Sequence, residues 1–244
     1  MRGLKAIALF YQEQKMTDAY IFLAGASRGV GREIAKCLSE QHLKVKALLR
    51  TEAAKAELEA LGIEIVFGDA LNVGDVERAI LGEPIHAVIS TIGSLPNEGE
   101  KADYLGNKNL IDAAVKAGVQ KFILVSSIGS GNSAVALPPQ ALQTLGPVLV
   151  EKEKAEKYLI DSGLTYTIIR PGGLKSEPAT GNGVLTEDFR IAGSIHRADV
   201  AQLVCRCLNS DLANLKILSA VDRQMIYGQP QFEEFSLTKT VSSE

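Results

Sequence analysis

Seven short runs of apolar and β-branched residues recur along the chain, at 20–24, 45–49, 63–67, 87–91, 122–126, 165–169 and 216–219. None alternates strictly between apolar and polar, so each reads as a strand buried on both faces. Stripes of helical period lie between them: Val30, Ile34, Cys37 and Leu38; Leu105, Leu110, Ile111, Ala114 and Val115; and Val200, Leu203, Val204, Cys207 and Leu208. Strands alternating with helices demand right-handed crossovers between parallel neighbours. The expected fold is α/β, a doubly wound parallel sheet of about seven strands. A chain of 244 residues suits one large domain or two small ones. No polar stretch is long enough to divide it, so residues 17–244 read as one domain behind an N-terminal extension, residues 1–16. The Gly-, Ser- and Pro-containing stretch 129–146 is expected to be a loop over the ligand-binding end. Residues after Tyr227 are expected to form a strand or tail, and the last ~70 residues are too few for a second domain.

Composition removes several classes of function. A net charge of −3 argues against an electrostatic nucleic-acid binder. No apolar run approaches the ~18 residues of a membrane-spanning helix. With 46% hydrophobic residues the chain can build its core without disulfide or metal staples. Cys37, Cys205 and Cys207 cannot complete a disulfide framework, and the last two are spaced for neither a CxxC redox pair nor a zinc site. They are expected to be free thiols. His42 and His86 lie at a helix end and a strand start, and no metal is expected. Residues 1–16 carry a short apolar stretch, 6–11, without a small-residue cleavage site, which does not fit a signal peptide. The biological start is either Met1 or Met16, and a start at Met16 would leave a short lead directly into the first strand. The expected location is the cytoplasm, or an organelle stroma if residues 1–16 belong to a targeting segment.

The turn after the first strand reads GASRGVG, with glycines at Gly25, Gly29 and Gly31, and it opens the first helix. Gly25 allows the tight turn, Gly29 lets backbone approach a pyrophosphate, and Gly31 lets helix pack on strand. The N–H groups and positive dipole end of that helix then face the phosphates. Such a turn between a first strand and an amphipathic helix points to a Rossmann-type dinucleotide site, with Ser27, Arg28 and Val30 completing the loop. Its GxxxGxG spacing resembles the short-chain dehydrogenase/reductase superfamily. VSSIG at 125–129, GLTYTIIRPGG at 163–173 and IHRADVA at 195–201 resemble its atypical branch, which includes NmrA-like and flavin/biliverdin reductase-like proteins. The resemblance runs from about Tyr20 to Ser219.

An NAD-preferring site usually ends its second strand in Asp or Glu, which bonds the ribose 2′-hydroxyl. Here that strand ends in Leu49, Arg50 and Thr51. Arg50, helped by Arg28, suits the 2′-phosphate of NADP(H), which is the expected cofactor in preference to NAD(H). The resemblance implies further cofactor contacts. Asp69 and Ala70 would lie at the adenine, and Thr91, Ile92 and Gly93 would form a small-residue turn. Pro171, Gly172 and Gly173 would lie near the nicotinamide.

The superfamily's usual acid is a tyrosine in a YxxxK pair that follows a fifth-strand serine. Tyr104 and Lys108 match the pattern literally but precede Ser126 and Ser127, so they read as an ordinary helix-face pair. In the proper region, Val148 and Val150 stand four residues before Lys152 and Lys154, and the tyrosine is missing. Lys154 matches the lysine that atypical members keep against the cofactor ribose, and Tyr158 reads as a core or surface residue. The expected catalytic residues are Ser127, as hydrogen-bond donor, and Lys154, as cofactor clamp. His196 reads as a satisfied loop histidine and Asp199 as a cap of the late helix. Two functions remain: an NADP(H)-dependent reductase of a small conjugated acceptor, and a non-catalytic NAD(P)(H)-binding sensor or assembly factor of NmrA-like type. The first needs a small-molecule substrate; the second needs a protein partner.

Overall fold

The computed structural model describes residues 19–93, 102–228 and 231–238, so the extension 1–16, with Met1 and Met16, lies outside the described residues. Ten strands are described: β1 (Tyr20–Ala24), β2 (Val45–Leu49), β3 (Glu64–Phe67), β4 (Ile85–Ser90), β5 (Lys121–Val125), β6 (Tyr166–Pro171), β7 (Gly173–Lys175), β8 (Gly183–Thr186), β9 (Ser194–His196) and β10 (Lys216–Asp222). The helices are α1 (Gly29–Glu40), α2 (Lys55–Ala60), α3 (Val73–Leu81), α4 (Leu105–Ala117), α5 (Pro139–Asp161) and α6 (Arg197–Leu208).

The main sheet runs β3-β2-β1-β4-β5-β6-β10-β8. Seven strands are parallel, and β8 joins β10 antiparallel at one edge. From β1 the chain builds outward to β2 and β3, then returns to lay β4 on the other flank of β1. That reversal opens a crevice at the carboxyl ends of β1 and β4, where open α/β sheets bind ligands. Alternate strand residues explain the lack of polar alternation. Ile21 and Leu23 pack with Ile34 and Leu38 of α1 and Val200 and Val204 of α6 on one face. Phe22 and Ala24 pack with Val76, Leu110 and Leu159 of α3, α4 and α5 on the other.

Three expectations change. The stretch 129–146 is largely helical: residues 131–136 form a 3-10 segment, and α5 begins at Pro139, whose fixed φ suits a first helical position. On α4 only Leu110, Ile111 and Ala114 are buried, while Leu105 and Val115 face outward. Three strands, β7, β8 and β9, fall in 173–196, where the runs are too short and too rich in glycine to register as strands. β7 and β9 pair with each other as a separate parallel ribbon.

Candidate functional site

The glycine turn is built by close approach. Gly25 and Gly29 adopt φ of +91° and +57°, the left-handed region that glycine enters without strain. A Cβ on Gly31 would overlap the Gly25 carbonyl and lie 2.6 Å from Thr91 Oγ1, and a Cβ on Gly25 would overlap the same hydroxyl. Thr91 closes the arrangement from β4, its hydroxyl donating to Gly25 O at 3.2 Å. Thus β1, β4 and α1 meet where only glycine fits, leaving backbone N–H groups at the turn. Ser27 and Arg28 are exposed and Val30 is buried. Arg197, from the first turn of α6, lies over the turn: its Nε is 3.6 Å from where a Gly29 Cβ would stand. Sequence reasoning passed over Arg197, because nothing local ties residue 197 to residue 29.

At the end of β4, Ser90 Oγ donates to Asn107 Oδ1 at 2.6 Å, and the Asn107 amide donates to Asp103 O at 2.7 Å. The same amide approaches Ile92 O at 3.5 Å, so α4 holds the Thr91–Gly93 turn in place. Lys152 Nζ pairs with the fully buried Asp103 carboxylate at 3.0 Å. Both press on Gly93, where a Cβ would stand 3.0 Å from Asp103 Oδ1 and 3.2 Å from Lys152 Nζ. Lys154 does not join this group. Its side chain is 53% exposed and paired with Glu151 at 2.6 Å. Two helical residues are about 200° apart, so Lys152 and Lys154 point to opposite faces of α5. Lys152, together with Ala155, Glu156 and Leu159, holds the inner one. The spacing i, i+3, i+4, i+7 was the available signal. Lys152, Asp103, Asn107 and Arg197 are the residues that sequence reasoning missed.

Beyond β5 the buried Ser126 hydroxyl donates to Glu156, which also holds Arg170 at 3.0 and 2.6 Å. Arg170 continues to Asn132 Oδ1 at 2.6 Å, tying the 3-10 segment to β6. Ser127 is half-buried, its hydroxyl donating to Ile128 O at 2.9 Å. Ile128 N donates in turn to Pro171 O at 2.9 Å, so Ser127 and Pro171 stand on adjoining strand ends. Gly172 has a packing reason of its own: a Cβ there would overlap the Gly193 carbonyl. Gly173 opens β7 and is exposed. Across the crevice, Arg50 and Thr51 are exposed at the end of β2. Asp69 folds its carboxylate onto Leu71 N at 2.9 Å, and Ala70 is buried, its carbonyl accepting from Asn109 at 2.8 Å.

Two further groups differ from expectation or stand apart. Asp199 does not cap α6; it accepts from Thr180 N at 2.9 Å and Gly181 N at 2.8 Å, anchoring the segment between β7 and β8. His196 is not satisfied. Its Nδ1 is buried without a hydrogen bond among the described residues, 3.7 Å from Asp199. With Asp222 these residues form a buried group whose ligand-type atoms lie within 4.8 Å of one another. Asp222 comes from β10, which is why the chain order gives no sign of it. Tyr104, just before α4, and Lys108, on α4, lie elsewhere, against Tyr158 of α5. Lys108 pairs with Asp112 at 2.7 Å, and Tyr158 donates to the same carboxylate at 2.6 Å, an interaction that raises the phenol above its ordinary range.

A cavity of about 290 Å³ sits between β8, α6 and residues 234–237, and none of the sequence-predicted site residues lines it. The crevice at the strand ends is an open groove, separate from this cavity.

A glycine turn at the switch point, cations around it and a lysine at the next strand end define a dinucleotide-binding protein of the Rossmann class. The NAD(P)H-binding family matches residues 25–211, and the chain belongs to that family, within the atypical short-chain dehydrogenase/reductase, NmrA-like class. An uncharacterised chloroplastic protein of Arabidopsis thaliana is 37% identical over 222 residues, covering 86% of this chain and 79% of that protein. Sanguinarine reductase of Eschscholzia californica is 32% identical, covering 77% of this chain and 83% of that one. Among solved structures, the anaerobilin reductase ChuY of Escherichia coli O157:H7 aligns at a TM-score of 0.77 and 32% identity, covering 87% of this chain and all of that one.

Proposed function

We propose that the chain is an NADP(H)-dependent reductase of a small, planar, conjugated acceptor. The observation that carries this reading is the Lys152–Asp103 pair against Gly93, a cation held beside Ser126 at the crevice. Bound NADPH would supply the hydride. The Gly25–Gly31 turn, the N-terminus of α1 and Arg197 would hold the pyrophosphate. Arg50 and Arg28 would take the 2′-phosphate, and no carboxylate competes at the end of β2 until Glu52. Asp69 and Ala70 would contact the adenine, and Thr91, Ile92 and Gly93 the middle of the cofactor. Lys152 would bond the nicotinamide ribose, the role the sequence assigned to Lys154. Ser127 would donate to the acceptor, and Pro171, Gly172 and Gly173 would form the wall behind the nicotinamide.

Valines stand where the tyrosine acid would be, so no side chain in that place protonates the product. A conjugated acceptor spreads the charge it gains and takes its proton from water, which a simple ketone does poorly. The reductase names of two relatives support reductive chemistry. Such an enzyme belongs in a reducing compartment supplied with NADPH, the cytoplasm or an organelle stroma. NADPH oxidation against a panel of flavins, quinones and biliverdin tests the proposal. Turnover of at least one acceptor is expected, slowed about tenfold or more by Ser127→Ala. Arg50→Ala should bring the NADPH dissociation constant close to that for NADH. Tight NADPH binding without turnover of any acceptor would favour the non-catalytic sensor.

A further inference from the structure

Helices α1 and α6 lie side by side, parallel and in register. At their N-termini Arg197 covers Gly29, and at their C-terminal ends Asn209 Nδ2 donates to Gln41 Oε1 at 3.3 Å. Both pairs are 168 residues apart in sequence. The same offset, about two turns below the glycine turn, brings Cys37 opposite Cys205, where each thiol shifts the other's titration. Cys205 is buried in the core between the helices, and Cys37 is half-buried against it. Cys207 is turned away from this pair: its carbonyl accepts from Lys121 at 2.6 Å, and burial pushes its thiol up to about 12.

We propose that Cys37 and Cys205 are a redox-active dithiol, which a small disulfide such as oxidised glutathione closes into a cross-link between α1 and α6. The two positions divide the labour. The neighbouring Cys205 thiol holds the Cys37 thiol below its ordinary range, and Cys37 is the more exposed of the two. The Cys37 thiolate is therefore the nucleophile. Cys205 is held above its range by the Cys37 thiol and by burial, and reaches only a sulfur that Cys37 brings to it.

In the first step the Cys37 thiolate attacks the small disulfide. Its S–S bond breaks, a mixed disulfide forms on Cys37, and one thiolate leaves and takes up a proton. In the second, Cys205 gives up its proton and attacks the Cys37 sulfur, releasing the second thiol. The protein loses two electrons and two protons, and the small disulfide becomes two thiols. The shared register sets Cys37 and Cys205 opposite each other on neighbouring helices, the arrangement a disulfide between α1 and α6 requires.

The test is incubation of the purified full chain with oxidised glutathione, followed by intact mass and peptide mapping without reductant. The expected product has lost two hydrogens, joins the Cys37 and Cys205 peptides within one chain, and leaves Cys207 free. Cys205→Ser should instead retain glutathione on Cys37, with Cys205→Ala as the alternative if serine disturbs the core. Cys37→Ser should form no cross-link. Closure should raise the unfolding midpoint by several degrees, because it constrains a long loop of the unfolded chain. A stable glutathione adduct on Cys37 of the wild type, a bond through Cys207, a bond only between two chains, three unreacted thiols, or a fall in the midpoint would each overturn the proposal.

Discussion

Lys152 and Lys154 are chemically identical and two residues apart, and the helix alone separates their roles. Lys152 reaches Asp103 and Gly93 at the crevice, whereas Lys154 reaches Glu151 and water. Lys152→Ala should weaken NADPH binding about tenfold, the loss of one charged hydrogen bond worth about 1.5 kcal/mol. Lys154→Ala should change it less than about twofold, as surface substitutions do. Calorimetric titration of both variants with NADPH checks the contrast, and equal losses would return the role to Lys154. The resemblance pointed to Lys154 rather than Lys152, because motif matching counts positions along a line and takes no account of the helix face. The apolar positions Leu149, Ala155 and Leu159 already marked which face turns inward. Asp103 and Arg197 were illegible for a different reason: each acts on a residue far away in the chain, through contacts that exist only once the sheet is assembled.

The turn joining β1 to α1 is the element on which the proposed cofactor site depends, and its shape was legible because glycine spacing and steric need coincide there. Gly31→Ala would force the Gly25 carbonyl and the Thr91 hydroxyl apart. Overpacking of this kind costs about 1–3 kcal/mol, and here it also displaces the phosphate-binding N–H groups. The variant should show a lower unfolding midpoint and lose NADPH binding before it loses its fold, as thermal unfolding with and without cofactor would reveal. β4 carries a second, pH-dependent expectation. Burial, with the nearby Lys121 charge, lowers the His86 pKa below its ordinary value of 6.5. The unfolded chain then binds the proton more readily, so stability falls as pH drops below about 6.5 and through the folded value. His86→Gln should flatten that acid limb in denaturant titrations at pH 5 and 7, and an unchanged slope would remove His86 as its source. The three strands that escaped sequence reading, β7, β8 and β9, have only three or four residues each and flank exposed glycines and polar turns. Their pairing is set by partners rather than by local pattern.

Over the whole molecule, alternation of strand and helix predicted the parallel sheet and its doubly wound layers correctly, but said nothing of how the sheet ends. A sheet edge presents unpaired backbone groups, and this one is finished by the part of the chain least legible as structure. β8 reverses direction at the edge, and residues 231–238 lie over it: Phe235 N donates to Leu185 O at 2.7 Å. Leu237 enters the core that α1 and α6 share, and Ser210 Oγ donates to its carbonyl at 3.0 Å. Arg223, just past β10, grips Glu234 through two bonds of 2.7 Å. The closing segment therefore seals the edge beside α6, the helix whose other end carries Arg197 over the glycine turn. Leu237→Ala removes a buried side chain and should cost about 2 kcal/mol, the low end for a core leucine because the site lies at the margin of the core. Ending the chain at Gly228 removes the cover altogether and should lower the unfolding midpoint further. It should also promote self-association through the uncovered β8 edge, visible as concentration-dependent light scattering. Thermal melts and scattering of the two variants together separate lost packing from lost edge protection. Leu237→Ala should melt earlier yet stay monodisperse, while the shortened chain should do neither harm alone but both at once; a shortened chain as stable and disperse as the full one would show that the edge needs no cover.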